Sequence, residues 1–161
     1  MVYLLLNCDE YLAAEHLATL KAALGDAEMA DLNTTTLEGE RIRAADVVAQ
    51  ANMMPFLAPR RLLLVNGYLD QLDKRMAASK NLESAAYGEA THLLEELPHT
   101  PDTCDLIFMD ASVDKRRHLW KGFSLPPSEK KPARKINGVE ALVKAQQIKL
   151  EALAAPDAKT L

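Results

Sequence analysis

The sequence has few aromatic residues, few cysteines and no long hydrophobic run. Phe, Trp and Tyr make up only 5% of the 161 residues, which argues against an all-β sandwich. Cys8 and Cys104 are too few for a disulfide scaffold and are predicted to be buried thiols of a reducing compartment. The apolar run at 2–6 is too short for a signal peptide or a membrane span. These features predict a cytosolic protein.

The composition is that of an ordinary folded domain rich in helix. Leu and Ala account for 26 and 25 residues, and both favour helix. Apolar residues make up 48% of the chain and charged residues 26%, a balance that argues against disorder. A length of 161 residues suits one domain.

Apolar runs alternate with helical patterns along the chain. Asp9 is predicted to cap the first helix, and further helices are predicted at 43–52, 87–97 and 138–145, with a basic one after Asp114. The segment 34–39 is predicted to be a loop, and 71–84 is predicted to be polar and exposed. The predicted strands are 2–6, 29–33, 61–65, 104–110 and 147–153. This order predicts an α/β fold with a five-stranded, mostly parallel sheet and helices on both faces.

The first strand-to-helix turn lacks the residues that bind a nucleotide phosphate. The turn at 7–11 reads NCDEY, without the glycines and lysine of a phosphate-binding loop and with two carboxylates in their place. Asp110 ends an apolar strand, like the aspartate that holds magnesium in many ATPases, but here turn chemistry is the preferred interpretation. The four histidines are too widely spaced for a zinc site. We therefore predict no catalytic residue, no metal and no cofactor.

Positive charge is concentrated between residues 111 and 135, although the whole chain has a net charge of −4. This concentration is typical of a face for nucleic acid or an acidic partner, or simply of a solvated helix and loop. The candidate contact residues for DNA or a partner are Lys115, Arg116, Arg117, Lys130, Lys131, Arg134 and Lys135.

A short apolar segment lies between two predicted elements. This 53–57 segment follows a predicted helix and precedes a predicted buried strand. It consists of Met53, Met54, Pro55, Phe56 and Leu57. They either cover the core or form an apolar knob for a partner's pocket, for which Met and Phe are well suited. Both interpretations are open from the pattern alone.

Three pairs of stretches occur in one order along the chain. They are YLLL at 3–6 with DEYL at 9–12, MPFL at 54–57 with RRLLLV at 60–65, and DLIF at 105–108 with DKRR at 114–117. Together they resemble the delta subunit of the bacterial DNA polymerase III clamp loader. The resemblance covers 2–123 and resumes near 148–156.

The resemblance implies an AAA+/RecA-like domain that has lost its phosphate-binding loop and has no activity of its own, although the family is part of the polymerase holoenzyme. It implies binding and opening of the ring-shaped sliding clamp, the beta subunit, in the bacterial cytoplasm. The contacts would be Met53, Pro55 and Phe56, with Met54 and Leu57 beside them; some relatives carry leucine at position 55. The other implied partners are the gamma or tau and delta prime subunits, with DNA contacted at most indirectly or weakly and no membrane.

The resemblance also divides the chain. We expect one clamp-binding domain over 1–155, with a flexible insertion at 125–146 to which the family assigns no function. Residues 156–161 would begin a linker to helical domains that assemble the loader, so the sequence is interpreted as a fragment or a shortened protein.

Overall fold

A five-stranded parallel sheet forms the centre of the computed structural model, which describes residues 1–7 and 9–151. The sheet order is β2-β3-β4-β1-β7, and every neighbouring pair is parallel. The strands, including a separate β5–β6 hairpin, are β1 (Val2–Leu6), β2 (Thr34–Glu38), β3 (Arg61–Asn66), β4 (Cys104–Asp110), β5 (Gly122–Leu125), β6 (Arg134–Asn137) and β7 (Ile148–Glu151). This architecture confirms the predicted α/β fold.

Helices cover both faces of the sheet. They are α1 (Glu10–Ala22), α2 (Ala27–Leu32), α3 (Ala44–Ala51), α4 (Tyr68–Ser79), α5 (Ala85–Glu96), α6 (His118–Lys121) and α7 (Val139–Lys144), with short 3-10 turns at Gly39–Arg41 and Leu97–His99. Successive strand residues point to opposite faces. Leu4 accordingly joins the core under α3, α4 and α5, whereas Leu5 packs in the smaller core of α1 and α2. Strands buried on both sides explain the continuous apolar runs of the sequence.

The start of α1 is capped as predicted. An Asp9 Oδ1 atom accepts hydrogen bonds from the backbone N–H groups of Tyr11 and Leu12 at 3.0 and 3.2 Å. This satisfies two of the donors that a helix leaves free at its N-terminus.

The predictions between residues 29 and 39 are wrong. The segment 29–33, predicted as a strand, forms the end of α2, and 34–38, predicted as a loop, is strand β2. Asp26 begins α2 by accepting the N–H of Met29 at 2.9 Å. The three threonines at 34–36 are β-branched and suit an edge strand, but their pairing partner β3 is distant in sequence. A local search for apolar residues could not find this strand.

The prediction that 71–84 is exposed is also wrong for most of its helical part. Helix α4 begins earlier, at Tyr68, and buries Leu69, Leu72 and Met76 against the core. These residues are three and four positions apart, so they share one face of the helix. The intervening charged residues conceal that face in the sequence.

Asp114 does not cap a helix. Helix α6 begins after Arg117, and Asp114 Oδ1 instead accepts the backbone N–H of Arg116 at 3.0 Å in the preceding turn. The helix that carries Leu119 and Trp120 is present, but it has only four residues.

The region predicted as a flexible insertion, 125–146, contains regular elements. Strands β5 and β6 pair antiparallel, and Ile136, Val139 and Leu142 are buried in the main core. Only 126–133 and the residues flanking α7 lack strand or helix. The predicted helix at 138–145 and edge strand at 147–153 correspond to α7 and β7.

Some predictions fall on the remaining residues. Cys104 is buried, as predicted, whereas Cys8 and the predicted linker at 156–161 lie outside the described residues. The division into a 1–155 domain and a linker stays a prediction. Among the residues that are described, no helix combines the length and apolarity needed to cross a membrane.

Candidate protein-docking site

The 53–57 segment lies at the edge of the sheet where the strands begin. It connects the end of α3 to the start of β3. The backbone of Phe56 contacts Asn33, which immediately precedes β2. Because parallel strands begin at the same edge, the segment sits beside the amino ends of β2 and β3.

Four of the five side chains in the segment are exposed. The exposed fractions are 87% for Met54, 78% for Leu57, 56% for Phe56 and 52% for Met53, and Pro55 is half-buried. The interpretation that these residues cover the core is therefore wrong. Adjacent exposed apolar side chains are typical of a surface that binds another protein, although clamp contact by these residues stays a prediction.

The backbone of Phe56 is held by a buried amide. The Asn33 side chain is 1% exposed. Its Oδ1 accepts the Phe56 N–H at 2.7 Å, and its Nδ2 donates to the Phe56 carbonyl at 2.9 Å and to the Met29 carbonyl at 3.0 Å. These three bonds join the segment to the end of α2.

Two arginines fix the chain where it enters β3. Arg61 is 6% exposed, and its guanidinium donates to the Gln50 carbonyl at the end of α3 and to Thr35 Oγ1 in β2, the latter at 3.0 Å. Arg60 forms a two-point contact with Asp105 of β4, one arm of which is 3.0 Å long. Bonds to both neighbouring strands and to α3 therefore support the base of the 53–57 segment.

At the opposite edge of the sheet, carboxylates bind helix N-termini. Asp9 caps α1, and Asp110 Oδ1 accepts the N–H of Asp70 in the first turn of α4 at 3.0 Å. Asp110 is buried, and this burial raises its pKa to about 6. Its side chain therefore acts on α4, consistent with a structural role at a turn. Within residues 1–7 and 9–151, no group of three His, Cys, Asp or Glu side chains could hold a metal.

Several cations of the basic region have acidic partners. Arg116 pairs with Asp114 at 3.0 Å, and Arg117 lies 3.1 Å from the buried Asp73. Arg134 contacts Glu95 at 2.9 Å, while Lys115 lies over the Trp120 ring at 5.1 Å. The exposed members Lys130, Lys131 and Lys135 lie on β6 or in the connection before it. Paired cations bind phosphate less readily, so this arrangement does not favour the nucleic-acid alternative.

Sequence reasoning found the exposed residues but missed the residues that hold them. Asn33 falls in the segment 29–33 that the pattern predicts as a strand, whereas it directly follows helix α2, a position where Asn is common. Arg61 was assigned correctly to a strand, but nothing in the local pattern indicated that its charged head is buried. A charged residue at the start of an apolar strand marks an unusual position, but it does not specify whether that residue is buried.

Comparison with known proteins places the chain in a replication family. Residues 3–125 match the model of a family described as DNA polymerase III, delta subunit. Among solved structures, the Bacillus subtilis DNA clamp loader delta protein is similar, with a TM-score of 0.64 and 19% identity. That similarity covers 99% of this chain and 40% of the Bacillus chain. No curated protein sequence matches.

Proposed function

The chain belongs to the family of DNA polymerase III delta subunits, and on that premise we propose that its 53–57 segment binds the sliding clamp and favours the open ring. This family is a non-catalytic component of the clamp loader, so its contribution comes from binding. The observation that carries the proposal is the exposure of Phe56 and Met53 on a backbone that the domain itself holds.

The chemistry of the segment suits an apolar pocket on a partner. The flat ring of Phe56 and the flexible thioether of Met53 fill such a pocket with many van der Waals contacts. Pro55 fixes its own φ angle, and Asn33 holds the next residue. A segment that is ordered before binding loses less conformational entropy when it binds.

Ring opening follows from differential affinity and needs no chemical step in this chain. A ligand shifts an equilibrium only by the difference between its affinities for the two states. If the segment fits the relaxed, open interface of the clamp better than the closed one, its binding stabilises the open ring. One buried aromatic anchor contributes about 2 kcal/mol, which corresponds to a population shift of roughly thirtyfold.

In this proposal ATP is used by other subunits of the loader, which expose or hide the 53–57 segment. The edge of the sheet where the strands end is consistent with that division, because Asp9 and Asp110 already occupy the N-termini of α1 and α4. The gamma or tau and delta prime subunits are the proposed assembly partners.

Binding of purified sliding clamp to a Met53→Ala/Phe56→Ala variant tests the proposal. We expect the affinity to fall by at least about thirtyfold, because the aromatic anchor is lost. A fluorescent pair across one clamp interface should report opening with the wild-type chain and none with the variant. Since the contact is apolar, added salt should weaken wild-type binding little, unlike phosphate contacts.

Tyr11→Ala is the matched control. Tyr11 is 70% exposed and lies in α1 at the other edge of the sheet, so its replacement removes a large exposed ring away from the site. All variants should keep the wild-type circular dichroism spectrum, because exposed substitutions rarely unfold a domain. Undiminished clamp binding by the double variant would contradict the proposed site.

A further inference from the structure

Asn33 is a buried polar residue whose hydrogen bonds converge on one residue of the exposed segment. Both the N–H and the carbonyl of Phe56 bond to its amide group, at 2.7 and 2.9 Å. Asn33 is 1% exposed, so its amide group is buried although Phe56 itself is partly in water. A buried side-chain amide whose donors and acceptor are all hydrogen-bonded favours one arrangement of the chain around it, because any of these polar groups left unpaired costs free energy.

We propose that Asn33 is the positioning residue of the docking site: it fixes the Phe56 backbone so that the Phe56 ring is presented before the clamp arrives. The inference rests on the proposed function for its consequence in clamp binding, but its structural part can be tested on the free chain.

The backbone of the segment requires such support. Residues 52–60 form no strand or helix, so no regular ladder fixes Phe56. The next residue, Leu57, has a φ of +53°, in the left-handed region that is unfavourable for a residue with a side chain. Such a conformation persists only where neighbouring contacts determine it. The two Asn33 bonds hold the peptide groups on either side of Phe56, and the bond to the Phe56 carbonyl holds the peptide group that directly precedes Leu57.

The chemistry of the side chain is specific. Asn carries one acceptor and two donors in a single plane, and this site uses all three, for the Phe56 N–H, the Phe56 carbonyl and the Met29 carbonyl. An aspartate could accept the N–H but could donate to neither carbonyl. Alanine would leave all three backbone groups without this partner.

The experiment compares Asn33→Ala with Thr34→Val, a matched control at the same helix end. Thr34 Oγ1 donates to the Ala30 carbonyl at 2.6 Å, so its loss perturbs α2 without touching Phe56. Amide exchange at Phe56 in the free chain should accelerate at least about tenfold in Asn33→Ala, because its N–H loses its acceptor. Clamp affinity should fall about fivefold to tenfold, because Phe56 must then be ordered on binding. Thr34→Val should change neither quantity.

The two readouts separate this inference from the proposed function. Unchanged exchange at Phe56 in Asn33→Ala would overturn the positioning role whatever the clamp does. Faster exchange with unchanged clamp affinity would also overturn it, provided that Met53→Ala/Phe56→Ala abolishes binding. If the wild-type chain does not bind the clamp, the proposed function fails while the exchange result still decides whether Asn33 fixes Phe56. Should Asn33→Ala not fold, Asn33→Leu, which fills a similar volume without a donor or an acceptor, serves in its place, with the same exchange measured at Phe56.

Discussion

The two edges of the central sheet carry opposite kinds of surface. At the amino edge, where the strands begin, the 53–57 segment exposes apolar side chains on a backbone that Asn33 bonds at Phe56. Arg61 supports the base of the segment through Gln50 and Thr35. At the carboxyl edge, Asp9 and Asp110 bind the N-termini of α1 and α4. One edge thus exposes apolar side chains to water, and at the other edge carboxylates accept hydrogen bonds from helix N-termini.

This difference teaches where a ligand can bind. In open α/β sheets the carboxyl edge is the usual ligand site, because helix N-termini there present free N–H groups and positive potential. In this chain carboxylates already occupy the N-termini of α1 and α4 and bring negative charge to the place of a phosphate. The proposed docking site lies instead at the amino edge, where the exposed groups are apolar and the expected partner is a protein.

The largest expected effect concerns the pH dependence of the carboxyl edge. Burial raises the pKa of Asp110 from 3.8 to about 6, so the folded state binds this proton more tightly than the unfolded state. The ionised carboxylate therefore destabilises the fold above pH 6. The contribution of the Asp110 side chain to the free energy of unfolding should therefore rise by roughly 3 kcal/mol as the pH falls from 7 to below 4 and the carboxylate is protonated. Asp110→Asn removes this contribution.

Urea unfolding of both proteins between pH 7 and pH 4 measures the difference. Asp110→Asn should gain stability relative to the wild type at pH 7, and that gain should shrink through pH 6 as Asp110 becomes protonated. Other titrating groups are common to both proteins and cancel. Parallel stability curves would show that the carboxyl edge tolerates its charge, and would weaken the contrast between the edges.

The next effect concerns the support of the amino edge. Arg61→Met keeps much of the apolar stem but removes the donors that reach Gln50 and Thr35. We expect a loss of about 2 kcal/mol in the free energy of unfolding, because buried acceptors of a charged donor are left unpaired. Thermal unfolding monitored by circular dichroism measures it.

Arg116→Met is the matched control for Arg61. The ion pair of Arg116 with Asp114 is exposed on the arginine side, and such pairs contribute little to stability. The control should melt at the wild-type temperature. Equal melting temperatures for all three proteins would mean that Arg61 does not support the segment.

The smallest expected effect is the absence of a signal at the carboxyl edge. Titration of the chain with magnesium-ATP at millimolar concentration should release no binding heat, because Asp9 and Asp110 repel the phosphates and the turn at 7–11 lacks glycine and lysine. An ATPase with an intact phosphate-binding loop controls for the assay. Micromolar binding would break the comparison between the two edges.

The predictable part of the fold was the part that is buried on both faces. Strands β1, β3 and β4 are continuous apolar runs, which indicate a central strand in a parallel sheet. Strand β2 was missed because it is the outermost strand on one side of the sheet and carries threonines instead of an apolar run. Its pairing partner β3 is also distant in sequence. Helix α4 was misjudged because charged residues separate Leu69, Leu72 and Met76, whose shared face exists only once the helix is formed.

The candidate site was predictable in composition but not in exposure. The sequence singled out Met53, Phe56 and their neighbours, but core and surface both remained possible, because apolar residues serve either purpose. Asn33 lies 23 residues from Phe56 in sequence, and no local pattern connects them.

The order of amino acids alone determined that the chain forms an α/β domain without a phosphate-binding loop, since both properties depend on neighbouring residues and on short-range periodicity. Tertiary structure decided which apolar residues remain in water and which buried side chains hold them there. Burial and long-range hydrogen bonds depend on what other parts of the chain contribute to the same place in space.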